Sequence, residues 1–360
     1  WTVRQALSIG SLDGPEAEQF GQIVGVDVDG EGRIYALDNQ SSEVRVFDAD
    51  GRHLRTFGEP GQGPGQLGRA LGGVFLVGDR VLVPDLQNQR VSAFSTDGEP
   101  LASFRLDFSA GVPIRWDGPV AGQVVAQRRV LQIGDSAAAP AGDPIVALDS
   151  EGAVADTLLV LPPGESLDLS GGGPSFRFFA PEPIWDAGPD GRIASGMNAE
   201  FRIEMHAPGG MLERVVVLPR EARSVTERDQ QVLLDAVREA AMDQGAPPQA
   251  VEMMLSGATF ADSYPFFASL LVGPEGTLWA QRVRTGDELT GGAEEATFDP
   301  QDLGSTVWDV FDAEGRYLGE VEFPGRFQPL RVHGDRIYGV GRDAMDLQSL
   351  VAFDVVRPAG

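Results

Sequence analysis

The chain has 360 residues, of which 28 are basic, 54 acidic and three histidine, with no cysteine. Every basic residue is arginine. The absence of cysteine removes disulfides, thiolate catalysis, iron–sulfur clusters and Cys-based zinc sites. His53 opens one short alternating run, His206 closes another and His333 sits at a turn. Scattered in this way, they give poor support to a shared metal site, a His-centred lyase or a Ser-His-Asp hydrolase. Carboxylates are so common that pairs arise from composition alone. Asp27-x-Asp29-Gly30 and Asp48-x-Asp50-Gly51 resemble the opening of a calcium loop. Both lack the remaining ligands and terminal Glu of an EF-hand and fall at turns, so the turn reading is preferred. Arginine is more informative. Arg115-Trp116, Arg128-Arg129, Arg282 with Arg284, and Arg331 are local exceptions in an acidic chain. Guanidinium clusters suit an anionic or carboxylate ligand, and the plainer account is pairing with neighbouring Asp and Glu.

The elements that must position these groups are read most clearly between Gln22 and Ala70. Ile23–Val28, Arg33–Leu37, Glu43–Phe47 and His53–Phe57 alternate apolar and polar residues at period two, the pattern of half-buried strands. Asp29-Gly30-Glu31-Gly32, Asp38–Ser42 and Asp48–Gly51 join them with residues that suit tight turns. The pattern recurs. Second strands are expected to begin near Ile34, Val81, Val124, Ile193, Leu278 and Ile337. Third strands recur as VRVFD, VSAFS, IVALD, IEMHA, WDVFD and LVAFD, and a fourth follows in five of the six units. Such self-similarity marks a repeat architecture, and four-stranded units fit a six-bladed β-propeller of antiparallel blades.

Residues 22–108, with D-G-E-G, R-I-Y, R-V-F-D and the connector Gly58-Glu59-Pro60-Gly61-Gln62-Gly63-Pro64-Gly65-Gln66, resemble the NHL repeat. That resemblance implies a propeller of the bacterial exported type. The last unit lacks a fourth strand, and Thr2–Ile9 is an orphan strand that would supply it and close the ring. The whole of 1–360 then reads as one domain. A helical insertion is expected at about 226–257, between blades four and five, with Thr226 as N-cap and Gly245 as stop. The long connections 126–144, 162–183, 219–265 and 282–306 should crowd one face, which is expected to carry function.

On this frame Arg115, Trp185 and Arg331 belong to first strands, which line a propeller channel, while Arg128 and Arg282 follow second strands. All five are candidate ligand-binding residues. Asp38, Asp85, Asn198 and Asp287 lie in or near second-to-third-strand loops. Resemblance to lactonase-like propellers would let those four hold a divalent cation such as calcium at the channel mouth, whereas NHL repeats use such residues to organise the loop. The formal charge of −26 argues against nucleic acid and anionic membrane surfaces. No apolar run is long enough for a transmembrane helix. The chain opens at Trp1 without Met, and is read as a trimmed or processed product, exported to a periplasm or cell surface. The leading reading is a non-catalytic scaffold, without cofactor, recognising a protein partner or small ligand on the insert face. The alternatives are a metal-dependent lactonase-like hydrolase or lyase, and a structural subunit that self-assembles through the helical insertion.

Overall fold

The turn chemistry works as the spacing suggests. Asp48 Oδ1 accepts the amides of Asp50 (3.0 Å) and Arg52 (2.8 Å), and Gly51 takes the φ of 84° that closes the turn. Asp29, Asp149 and Asp312 repeat the device in other hairpins. The computed structural model describes all residues except 71, 110, 130–141, 169–174, 244, 286–287, 289–302, 344 and 358–360. Its hairpins build six four-stranded antiparallel blades arranged as a propeller.

Blade one is Ile23–Val28, Ile34–Asp38, Glu43–Phe47 and His53–Phe57. Blade two is Phe75–Val77, Arg80–Asp85, Arg90–Ser95 and Pro100–Arg105. Blade three is Val112–Val120, Gln123–Arg129, Asp143–Leu148 and Val154–Leu161. Blade four is Pro183–Ala187, Ile193–Met197, Arg202–His206 and Leu212–Val217. Blade five is Ser269–Val272, Leu278–Val283, Gly304–Phe311 and Tyr317–Glu322. Blade six is Arg326–His333, Arg336–Arg342 and Gln348–Val356, completed by Thr2–Ile9. The N-terminal strand pairs antiparallel with the last one, from Thr2 opposite Val356 to Ile9 opposite Leu350. Second and third strands are almost wholly buried, whereas outer strands such as His53–Phe57 stay open. The core lies between blades. Ile9, Val26 and Ile34 pack with Tyr338 and Leu350 across the closure, and Trp279 and Trp308 pack with Ile337 and Phe353 between blades five and six.

The helices α1 (Glu227–Asp243) and α2 (Pro248–Ser256) stand outside the blades. Thr226 Oγ1 accepts the Asp229 amide (3.2 Å) while Asp229 Oδ2 accepts the Thr226 amide (2.8 Å), a reciprocal N-terminal cap. Leu233, Val237, Val251 and Leu255 bury the apolar faces of both helices against Phe179 and Tyr264. A small sheet of Leu167–Asp168, Ser175–Phe178 and Thr259–Phe260 ties the 162–183 connection to this insertion. Its two outer strands are only two residues long, too short for periodicity to reveal. Arg128 and Arg282 lie inside second strands rather than after them, because pairing continues through Arg129 opposite Val112 and Val283 opposite Gly304.

Candidate functional site: a channel belt and an arginine cleft

Three aspartates hold one register position in the first strands of different blades. Asp27, Asp117 and Asp186 stand opposite Tyr35, Val125 and Ala194. Each carboxylate reaches sideways to the next blade's first strand. Asp27 Oδ2 accepts the amide of Leu76 (2.7 Å), Asp117 Oδ2 that of Ala187 (3.1 Å) and Asp186 Oδ2 that of Val272 (2.7 Å). Arg331, opposite Tyr338, holds the equivalent place in blade six. Its Nε lies 2.9 Å from Asp27 Oδ1, and its Nη2 donates across the channel to the Gly118 carbonyl. Arg115 stacks over Trp185 at 4.6 Å and donates to its carbonyl; Nη2 lies 3.7 Å from Asp117 and 3.5 Å from Asp186. The Trp185 indole N–H donates to Gln127 (2.7 Å). Arg115, Trp185 and Arg331 thus lie in first strands, with Trp185 buried in the core between blades three and four, and much of their polar capacity is committed internally.

Burial raises the Asp27 pKa, with Arg331 opposing. Asp186 is pushed up to about 8, first by burial and then by the neighbouring Asp117 charge, which together outweigh Arg115. Asp117 and Asp186 escaped the reading of the sequence; the signal available was their shared offset before the second strand.

The proposed cation ligands occupy loop-organising places. Asp38 accepts the amides of Gly21 (2.9 Å), Gln22 (2.9 Å) and Gln40 (3.0 Å) and pairs with Arg45 at 3.3 Å. Asp85 does the same for Gly68 (2.8 Å) and Asn88, whose side-chain amide donates to it at 2.7 Å. Asn198 accepts the Glu182 amide (2.8 Å) and donates to the Phe267 carbonyl (3.0 Å). Asp287 lies outside the described residues. Among the described residues no group of three or more His, Asp or Glu is placed to hold a metal ion. Arg128 is buried, donates to the Asp107 carbonyl (3.1 Å), and has its pKa lowered by burial. His206 has both Ser195 Oγ and Glu204 at 3.4 Å from the same Nε2, with Nδ1 3.2 Å from the Gly210 carbonyl. A triad places its acid on the opposite nitrogen from its serine.

Arg282 enters a different site. A cleft of about 220 Å³ opens beside blade five, where the 219–265 connection meets the end of its second strand. Asp309, fully buried on the third strand, accepts two bonds from Arg220 (2.9 and 3.0 Å), two from Arg282 (3.1 and 2.7 Å) and one from the Tyr317 hydroxyl (3.0 Å). Burial alone would raise the Asp309 pKa, but the two guanidiniums hold it below the usual carboxylate range. Arg282 also reaches Glu320. Arg223 lies beside them. It donates to the Val283 carbonyl (2.8 Å) and lies 5.5 Å over the Tyr264 ring. Its pKa falls through burial first, opposed by Glu288, with Arg220 and Arg282 adding repulsion. Arg220 and Arg223 were missed because they lie in a connection with no repeat register.

No protein-family model matches the chain, and no curated protein does. Solved structures do. A DUF4221-family member from Bacteroides vulgatus superposes with a TM-score of 0.58 at 12% identity, covering 98% of this chain and 97% of that one. A Bacteroides fragilis protein described as exported gives 0.55 at 12% identity, covering 99% and 96%. A virginiamycin B lyase from Staphylococcus aureus gives 0.46 at 10% identity over 98% and 100%. At such identities the first two likenesses show the fold alone.

Proposed function

We propose that this chain is an exported, non-catalytic binding propeller, one domain throughout, which recognises a small ligand or protein partner on the face carrying the long connections. The observation that carries the reading is the cleft of Arg220, Arg223 and Arg282, the described site where guanidiniums line an open cavity on that face. The channel carboxylates instead bridge blades, which makes them supports for the ring rather than acids and bases for a substrate. The NHL-like residues of 22–108 and the exported neighbour support the class and the compartment.

The test is a thermal-shift screen of small metabolites and peptides, with hydrogen exchange mapping each hit. Binders should protect 219–223 and 264–266 and leave the cleft unaltered as covalent material. A hit that protects only channel strands, or one that is turned over, would sink the proposal.

A further inference from the structure

Blade four repeats the layout of the arginine cleft with different chemistry. Where the end of blade three's outer strand, 159–162, meets 195–197 of blade four, a second cleft of about 260 Å³ opens. It corresponds to the first in register, since Glu204 stands opposite Ser195 as Asp309 stands opposite Ala280. On blade five Asp309 serves two guanidiniums, Arg282 from its own blade and Arg220 from the incoming connection. On blade four Arg202, of the same strand, donates to Glu204 Oε1. The incoming connection 162–183 holds one arginine, Arg177, which pairs with Glu165 (2.8 Å). Glu204 Oε2 instead faces His206 Nε2 at 3.4 Å.

His206 is itself a departure from the repeat. Phe47, Phe94, Phe311 and Phe353 hold its register place in four other blades, opposite the first residue of the core second-strand run. Burying an imidazole there costs solvation that a phenyl ring does not lose. Its Nδ1 lies 3.2 Å from the Gly210 carbonyl, which can only accept, so the ring proton of the neutral form sits on Nδ1. Neutral His206 therefore presents an Nε2 lone pair beside Glu204, 3.4 Å from Ser195 Oγ. Two acceptors side by side suit the parallel N–H groups of a planar cation. Glu200, Glu204 and Arg202 are the charged lining, an acidic balance among the described residues. The residues outside that description include no arginine, lysine or histidine, so they add no positive charge. Leu159, Leu161 and Met197 supply apolar cover.

We propose that this cleft binds a guanidinium group, with Glu204 and His206 as its acceptors, in the place that Arg220 fills on blade five. Two sources share the chemistry: the arginine side chain of a peptide and a free small guanidine. The site is separate from the arginine cleft, and the fate of one reading does not decide the other. Protonating His206 turns Nε2 into a donor to Glu204 and adds a positive charge, so binding should weaken in acid. The polar groups facing the ring come from blade four, as Glu200, Arg202, Glu204 and Ser195, while 159–162 of blade three bring none that titrates.

Calorimetric titration of the whole chain at about pH 8 and about 0.15 M salt, which screens exposed charge, tests the assignment. The probes are butylguanidinium, butylammonium, zinc, and a capped Gly-Arg-Gly peptide with its citrulline counterpart. Both guanidiniums should bind, the ammonium at least about threefold more weakly, and the citrulline peptide not at all. Glu204→Gln should weaken the guanidiniums at least about tenfold. Moving to about pH 5.5 should weaken them at least about threefold in the wild type. His206→Phe, the residue type of four other blades, should bind less well and lose that pH dependence. The tighter binder of peptide and small cation names the source. Equal binding of the arginine and citrulline peptides, or of ammonium and guanidinium, would overturn the assignment, as would affinity unchanged in Glu204→Gln or a pH dependence that survives His206→Phe. Zinc that outbinds the guanidiniums and is lost in both variants would overturn it in favour of a metal site.

Discussion

Asp186 makes the stability of the ring depend on pH in a way that one substitution should erase. Asp186→Asn keeps an oxygen for the Val272 amide and a neutral side chain, so it imitates the protonated acid. The folded-state pKa is raised from 3.8 to about 8, so the folded protein binds an extra proton between those values. The stabilising contribution is therefore complete below the unfolded pKa and is lost as pH rises through the folded one. From about pH 6 to the folded pKa is about two units, or roughly 3 kcal/mol at about 1.4 kcal/mol per unit. For a chain of this length the unfolding entropy is on the order of 0.75 kcal/mol/K, so the loss corresponds to about 4 °C. The assay is the melting temperature of both proteins from about pH 6 to about pH 9.5 in one ionic strength. The gap between them should be smallest at the acid end of that range. The wild type should then fall behind by a further amount of about 4 °C. Their difference cancels most groups that titrate alike in both. Asp117→Asn removes the second cause of the shift and should move the wild-type fall to lower pH. Parallel curves for Asp186→Asn and wild type would refute the account of the channel as a proton-holding belt.

Removing residues 1–12 leaves the edge of Gln348–Val356 unpaired and should lower the melting temperature by several degrees; an unchanged melt would mean the closing strand contributes nothing to the ring. Asp85→Ala strips the acceptor from the buried Gly68 amide and from the half-buried Asn88 amide and side chain, a loss of about 2–4 kcal/mol by denaturant titration. The wild-type melt should be indifferent to chelator; a fall on adding it would revive the cation reading of Asp38, Asp85 and Asn198.

The parts of the fold that were legible are those whose cause is local. An Asp with Gly three residues later fixes a turn through its own oxygen, as at Asp48 and Gly51, and period-two burial fixes the strands on either side. The closure by Thr2–Ile9 was legible for a related reason: one unit lacked a strand and one strand lacked a unit. Thr226 capped its helix as its neighbours suggested. The channel belt was hidden because its partners are not neighbours in any repeat. Arg331 meets Gly118 across the ring, 213 residues away, and periodicity assigns a residue to a strand without saying which blade it will face.

The arginine cleft shows why the sequence named only one of its arginines. With 54 acids to 28 arginines, pairing is the default, and a pair such as Arg282 with Asp309 is structural by itself. What turns pairing into a wall is that Asp309 is shared. It fastens Arg220, from the connection after blade four, to Arg282, on blade five, and so fixes one side of the cleft with two rigid forks. Arg223 comes from the same connection, three residues on, donates to the Val283 carbonyl and lies over the Tyr264 ring. Tyr264 is itself tied to Asp229 at the start of α1. The helical insertion thus holds the aromatic side of the cleft while blade five holds the guanidinium side. The cleft exists only once both elements are folded against each other.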